Sequence, residues 1–166
     1  MSSPLVHGLP PIIDDGAESL ILGNMPSVLS LTAQEYYANP RNAFWRITGE
    51  IFGFAASAPY DSRTAALTAH GIAVWDVLRS CLRVGSLDSA VEPDSMVAND
   101  FGQLFARHPR ITRVFFNGAA AEKNFNRLVR VAPDFQYRRL PSTSPAQTMR
   151  YADKLAAWRE AITARQ

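Results

Sequence analysis

The sequence predicts an α/β fold of three layers, a central four-stranded, mostly parallel sheet flanked by helices, in one domain covering residues 1–166. Three observations carry this. Leu20–Gly23, Ile72–Trp75, Val114–Phe116 and Phe135–Leu140 are short runs of strand length, and the first three are almost wholly apolar, as strands buried on both faces are. Stretches of helical period separate them, and strands alternating with helices build a parallel sheet covered on both sides. A chain of 166 residues suits one core.

Taken in order, Met1 to Gly16 contains Pro and Gly and is expected to wrap the surface, with Leu9 to Ile13 tucked onto the body. Leu20 to Gly23 is the first strand, breaking into the turn Gly23-Asn24-Met25-Pro26-Ser27. Asn42 to Phe54 reads as a helix, with Phe44, Ile47 and Ile51 spaced by three and four. Asp61 or Ser62 is placed to cap a further helix that Gly71 ends. Ile72 to Trp75 is the second strand, followed by a short helix near Val77 to Arg83 and a polar connection from Val84 to Pro93. Asp94 or Ser95 can cap a helix running through Phe105 and closed by His108-Pro109. Val114 to Phe116 is the third strand, Asn117-Gly118 its turn, and Ala119 to Val131 the next helix. Phe135 to Leu140 is the fourth strand and Pro141 to Pro145 a tight loop. Tyr151, Leu155, Trp158 and Ile162 form one stripe of the last helix.

Composition narrows the function. Cys81 is the lone cysteine, which excludes an internal disulfide framework or a four-cysteine metal site and fits a cytoplasmic location. His7, His70 and His108 lack metal-ligand spacing, so no metal and no cofactor are expected. Nucleophile-elbow, dinucleotide and Walker fingerprints are absent. No run approaches the roughly 18 apolar residues of a membrane span, and the N-terminus lacks a signal-peptide pattern. The net charge of +2 is unevenly placed: residues 1–100 carry 5 Lys/Arg against 11 Asp/Glu, and residues 101–166 carry 12 against 4. A basic half can follow a phosphate backbone, although solvated helix faces give the same pattern.

Ser19 to Trp45 is where the chemistry concentrates. A strand emptying into a glycine turn is where open α/β sheets place ligands. Tyr36, Tyr37, Asn39, Asn42, Phe44 and Trp45 follow closely. Flat aromatics beside amides can sandwich a planar heterocycle and read its edge.

The Gly23–Ser27 turn with the YYANPRNAFW stretch, the segment His70 to Leu78, and Leu140-Pro141-Ser142-Thr143-Ser144-Pro145-Ala146 occur in the order used by the uracil-DNA glycosylase superfamily. The sequence resembles that superfamily, most closely its hypoxanthine (deoxyinosine) branch, and the resemblance covers most of the chain. It implies a uracil-DNA glycosylase-like fold. It also implies that the first turn holds water near the sugar, with Asn24 and Met25 among the base-binding residues, that the strand ending in Asp76 reads the base, and that Ser142, Thr143 and Ser144 press on the DNA backbone. Met25 stands where the uracil enzymes carry an acid or amide, and Leu140 where they carry histidine or asparagine. In the hypoxanthine branch the resemblance implies that an asparagine of the NPRN segment takes over the chemistry.

Cleaving an N-glycosidic bond needs an extruded base, water against C1′, and stabilised charge on the departing base. An amide can orient water and donate to a developing anion. Asn42 is the first candidate for that amide and Asn39 the second; alternatively Asn39-Pro40 is a turn and Asn42 a helix cap. Tyr37 is the candidate for stacking on the base, if Tyr36 and Tyr37 face opposite ways. Phe44 and Trp45 are expected in the core. Asp76 can accept from the ring N–H that hypoxanthine and uracil share, or else cap the helix at Val77. Asn117 is another amide at the sheet's carboxyl edge, or a left-handed turn residue. Arg150 and Lys154 could add charge near the loop, or simply face solvent.

The expected function is therefore monofunctional DNA glycosylase action on deaminated bases, hypoxanthine first, with uracil and xanthine as further substrates. The expected partner is single- or double-stranded DNA carrying such bases, met by a monomer away from membranes. The competing reading is a module of the same fold that binds damaged or single-stranded DNA without cutting it.

Overall fold

A computed structural model describes residues 3–130 and 133–164. Its principal sheet has four parallel strands, β2 (Ser19–Gly23), β3 (Ile72–Asp76), β6 (Arg113–Asn117) and β7 (Gln136–Leu140), in the order β3-β2-β6-β7. The register pairs Gly23 with Asp76, Leu22 with Phe116, and Asn117 with Leu140, so the four carboxyl ends come level along one edge. The expected central sheet is thus present.

Alternation along these strands makes the three layers. Leu20, Leu22, Ala73, Val114 and Phe116 face one side, where they meet Phe101, Leu104 and Phe105 of α4 (Phe101–Arg107) and Ala121 and Phe125 of α5 (Ala119–Leu128). Ile21, Val74 and Phe115 face the other side. There they meet Phe44, Trp45 and Ile47 of α2 (Phe44–Phe52), Leu67 of α3 (Tyr60–Ala69), and Trp158, Ala161 and Ile162 of α6 (Tyr151–Thr163). The predicted stripe on the last helix is the face that packs. The helix expected to reach Val131 ends at Leu128, and Val131 lies outside the described residues.

Several elements differ from expectation. The segment near Val77 to Arg83 is a strand, β4 (Leu78–Leu82), and not a short helix. It pairs antiparallel with β1 (Leu5–His7) and with β5 (Val97–Ala98), forming a second, three-stranded sheet. The N-terminal segment is therefore partly a strand, and Gly8 N–H also bonds the Arg79 carbonyl at 2.8 Å. The helix expected from Asp94 starts later and is capped by Asp100, whose side chain accepts from Gln103 N–H; Pro93–Ser95 is only a 3-10 turn. The third helix begins after Pro59, not at Asp61 or Ser62, because Pro59 takes up the helix entry. A helix α1 (Val28–Ala33), capped by the Ser27 hydroxyl, fills the spacer between turn and aromatics.

Candidate active site

The level strand ends open into a cleft of about 1050 Å³. Each residue singled out as a site candidate lines it: Asn24, Met25, Tyr37, Asn39, Asn42, Asp76, Asn117, Ser142, Thr143 and Ser144. Their side chains are not equally free.

Asp76 ends β3 and forms the floor. It is 4% exposed, and its Oδ2 has no hydrogen-bond partner among the described residues. Burial pushes its carboxyl up, the neighbouring charge of Asp88 adds to this and Arg83 opposes it, giving a value of about 7. Because β4 follows at once as a strand, Asp76 caps no helix, and that reading falls. Val77 and Leu78 donate their N–H groups to the Gly23 and Asn24 carbonyls, tying the strand after the floor to the first turn.

Tyr37 is the wall. Its backbone is left-handed at φ 55°, a turn in the chain just after Tyr36. Such strain in a non-glycine residue persists only where neighbours impose it. Phe44 stacks on one ring face with centroids 4.0 Å apart, and the hydroxyl accepts from Asn117 Nδ2 at 3.2 Å. Burial and the charge of Asp76 raise its phenol. Tyr36 is buried and donates its hydroxyl to the Leu9 and Pro10 carbonyls; Phe44 and Trp45 are core, and Trp45 Nε1 donates to the Tyr36 carbonyl.

Both asparagines of the NPRN segment use their side-chain oxygen locally. Asn42 Oδ1 accepts from Phe44 N–H and Asn39 Oδ1 from Arg41 N–H, each at 2.9 Å. What each has left for the cleft is its NH₂ end, a donor. Asn42 precedes Ala43, the N-cap of α2, so it is not the helix cap the sequence also allowed; its Oδ1 instead holds the first N–H of the helix.

Three candidates are engaged elsewhere. Met25 packs its side chain into the core beside Leu22 and Val77. Asn24 Oδ1 accepts from Asn124 Nδ2, and Asn24 Nδ2 donates to Asp88 Oδ1. Asn117 accepts from Thr143 N–H through Oδ1, while its Nδ2 donates to Thr143 Oγ1 and to Tyr37 Oη. Asn117 is therefore a clamp between wall and loop, with both ends of its amide committed. Thr143 is the member of the 142–144 trio turned inward, 1% exposed, with its carbonyl accepting from Ala43 N–H. Its hydroxyl and N–H hold the loop together, while Ser142 and Ser144 are half-buried.

Lys154, expected to be a surface charge, is buried at 4% and donates through Nζ to the Ser144 and Gln147 carbonyls, fastening the loop. Arg150 is exposed and pairs with Asp153 at 3.1 Å. Sequence reading missed Arg83, Asp88 and Asn124, which converge on the first turn, the first two from the connection after β4 and the third from α5. Nothing local in the sequence marks such a convergence. Arg41 and Arg139 place cations along the lining. Among the described residues no group of three or more His, Cys, Asp or Glu could hold a metal ion, and no helix is long and apolar enough to cross a membrane.

Fold and site together define an open-sheet α/β protein whose cleft, at the strands' carboxyl ends, sets an aromatic wall against a buried carboxyl floor. The chain belongs to the uracil DNA glycosylase superfamily, whose family model matches residues 10–164. It is 33% identical over 157 residues to a protein named hypoxanthine DNA glycosylase from Methanosarcina barkeri, covering 94% of this chain and 97% of that one. A second protein of that name, from Methanosarcina acetivorans, is 33% identical over 153 residues, covering 92% and 94%. The fold is similar to the solution NMR structure of "a putative Uracil DNA glycosylase from Methanosarcina acetivorans", with TM-score 0.78, 31% identity, and coverage of 95% of this chain and 98% of that one.

Proposed function

We propose that the protein is a monofunctional DNA glycosylase that excises hypoxanthine, with uracil and xanthine as further substrates. The observation that carries the base assignment is the unpartnered Oδ2 of Asp76, buried on the cleft floor beside the Tyr37 wall. As a carboxylate it accepts from the N1–H of hypoxanthine or the N3–H of uracil; against adenine it would face a ring-nitrogen lone pair. The NH₂ ends of Asn42 and Asn39 supply donors to the departing base or to water, acting by preorganised electrostatics. Ser142 and Ser144, with Arg41 and Arg139, hold the backbone and carry no sequence information. The name of the two Methanosarcina relatives agrees with this substrate.

The test is alkali cleavage of labelled inosine and uracil oligonucleotides after incubation with the protein. Strand scission only after alkali supports the reading. A mobility shift without scission would replace it with a binding module.

Asp76 makes two pH-dependent predictions. The native carboxyl holds its proton more tightly than the unfolded chain, where an aspartate titrates near pH 4. Stability is thus greatest below the unfolded value and falls as pH rises to about 7. Asp76→Asn should remove that slope, so its melting temperature gains on wild type between pH 5 and 8. Thermal melts across that range measure it, and parallel curves would show that Asp76 is not the group titrating. The excision ratio of hypoxanthine to adenine should rise with pH through the same window, since the neutral acid can donate to adenine N1, and Asp76→Asn should flatten it.

Affinity for undamaged duplex is expected to fall steeply with salt, in proportion to the phosphates neutralised. A titration between roughly 50 and 200 mM salt measures the slope. A slope near zero would place the basic half away from DNA.

A further inference from the structure

Hydrolysis needs a proton acceptor. Water that attacks C1′ must give up a proton, and a group at the cleft must take it. The NH₂ ends of Asn39 and Asn42 are donors and cannot do so, and both ends of the Asn24 and Asn117 amides are committed. Burial raises the phenols of Tyr36 and Tyr37, which keep their own protons. Among the described residues lining the cleft there is no glutamate, histidine, lysine or cysteine, and the carboxyls are those of Asp76 and Asp88. Asp76 forms the floor, where the base is read. The acceptor left for water is Asp88.

Asp88 comes from the connection between β4 and β5, and that connection is fixed to the first turn. Arg83, 1% exposed, donates through Nη2 to the Pro26 carbonyl at 2.7 Å, and Val28 N–H donates to Ser86 Oγ at 2.9 Å. An amide relay aims the carboxylate. Asn124 Nδ2, on α5, donates to Asn24 Oδ1 at 2.8 Å, which turns the Asn24 NH₂ toward Asp88, and Asn24 Nδ2 donates to Asp88 Oδ1 at 3.1 Å. Asn24 and Asn124 are both buried, so the relay is shielded from water. Oδ2 of Asp88 has no partner among the described residues, and the residue is exposed where it lines the cleft. A base oriented by a further group is the arrangement that proton transfer from a nucleophile uses. Burial raises the Asp88 carboxyl, with the Asn24 bond and the Arg83 charge opposing, and a raised carboxylate is the stronger base. After burial, the charge of Asp88 is the next influence raising the Asp76 carboxyl, and it acts on the Tyr37 phenol as well, so it is felt at floor and wall alike.

We propose that Asp88 is the catalytic base of excision, its free oxygen taking the proton of the attacking water, with Asn24 and Asn124 as positioning residues. The proposal rests on the glycosylase reading above. A nucleotide whose base lies on the Asp76 floor carries its sugar outward toward the rim, where Asp88 stands beside the first turn. The water oxygen bonds C1′, the C1′–N bond breaks with its electron pair leaving on the base, and the proton lost by water passes to Asp88. That proton then goes to the departed base's ring nitrogen through solvent, and the carboxylate is restored. The first turn contains no acid of its own, and the connection held against it supplies one.

The experiment measures single-turnover excision of hypoxanthine from a labelled duplex by the full-length wild type, Asp88→Asn, Asp88→Ala and Asp94→Asn. Asp94 is an exposed acid of the same connection that does not line the cleft. Circular dichroism and thermal melts confirm folding. Asp88→Asn keeps an oxygen for Asn24 and is expected to be slowed roughly 10²-fold, as loss of a general base costs, with duplex affinity kept. Asp94→Asn is expected at the wild-type rate. Sodium formate, compared with sodium chloride at equal ionic strength, should restore part of the rate to Asp88→Ala, because a small carboxylate can enter the space vacated and take the proton. A carboxylate with a merely structural role would not be replaced in this way. A near-normal Asp88→Asn overturns the proposal. So does a loss in both Asp88 variants that formate leaves untouched, or an equal loss in Asp94→Asn. Wild type that leaves inosine DNA intact would defeat the glycosylase reading itself, a result distinct from these.

Discussion

Asn42→Ala is expected to slow single-turnover excision of hypoxanthine by roughly 10²-fold or more, with duplex affinity largely kept, since one preorganised donor typically contributes that much. The first turn offers no acid: Met25 occupies that position and turns its side chain into the core. Asn42 Oδ1 is held by Phe44 N–H, so the NH₂ end is what the cleft receives. Asn42→Asp separates two modes of action, because it keeps an oxygen for Phe44 N–H and replaces the donor with a second oxygen. If the amide stabilises the departing base, the aspartate variant is as slow as alanine, its charge repelling the anion. If the amide instead guides water, the aspartate variant stays active. Loss of the bond from Phe44 N–H costs about 1 kcal/mol, as one hydrogen bond does, which melts will register separately. A near-normal Asn42→Ala beside a crippled Asn39→Ala would transfer the role to Asn39.

Gly23→Ala is expected to abolish excision to a similar or greater extent. A Cβ at Gly23 would lie 2.5 Å from Asp76 Oδ1 and 2.9 Å from Tyr37 Oη. Both groups would have to move, and they are the proposed base reader and the wall. Misplacement of reacting groups by about 1 Å can cost 10²-fold in rate. The basic rim is untouched, so duplex binding and its salt dependence should persist. Single-turnover rates and salt titrations on the same preparation decide it, and wild-type excision would mean that neither Asp76 nor Tyr37 contacts the base.

Much of this was legible from residue order. Leu20–Gly23, Ile72–Trp75 and Val114–Phe116 announce themselves because strands buried on both faces are nearly continuous in apolar residues, and Gly23 and Gly118 mark the ends of the first and third. The cleft lining followed from that, since the register of a parallel sheet brings strand ends level. What was not legible depends on partners distant in sequence. Val77 to Arg83 has no period that separates strand from helix, and it is a strand because Leu5–His7 pairs with it. Lys154 and Arg83 look like surface cations. They are buried because backbone carbonyls of Ser144, Gln147 and Pro26 receive them, a match made only by tertiary structure. Asn117 and Thr143 were read as separate contributors, yet they bond chiefly to each other.

The strand order has a consequence for how the protein is made. β2 is the first of the four principal strands to leave the ribosome, and both of its neighbours, β3 and β6, follow much later. Until residue 117 has emerged, Leu20, Ile21 and Leu22 lack one flank, and pairings over such separations form slowly. Lys154, which fastens the loop after β7, arrives later still. A nascent chain therefore carries Gly23, Tyr37 and Asn42 long before it has a cleft, with an apolar strand exposed to aggregation or chaperone capture meanwhile.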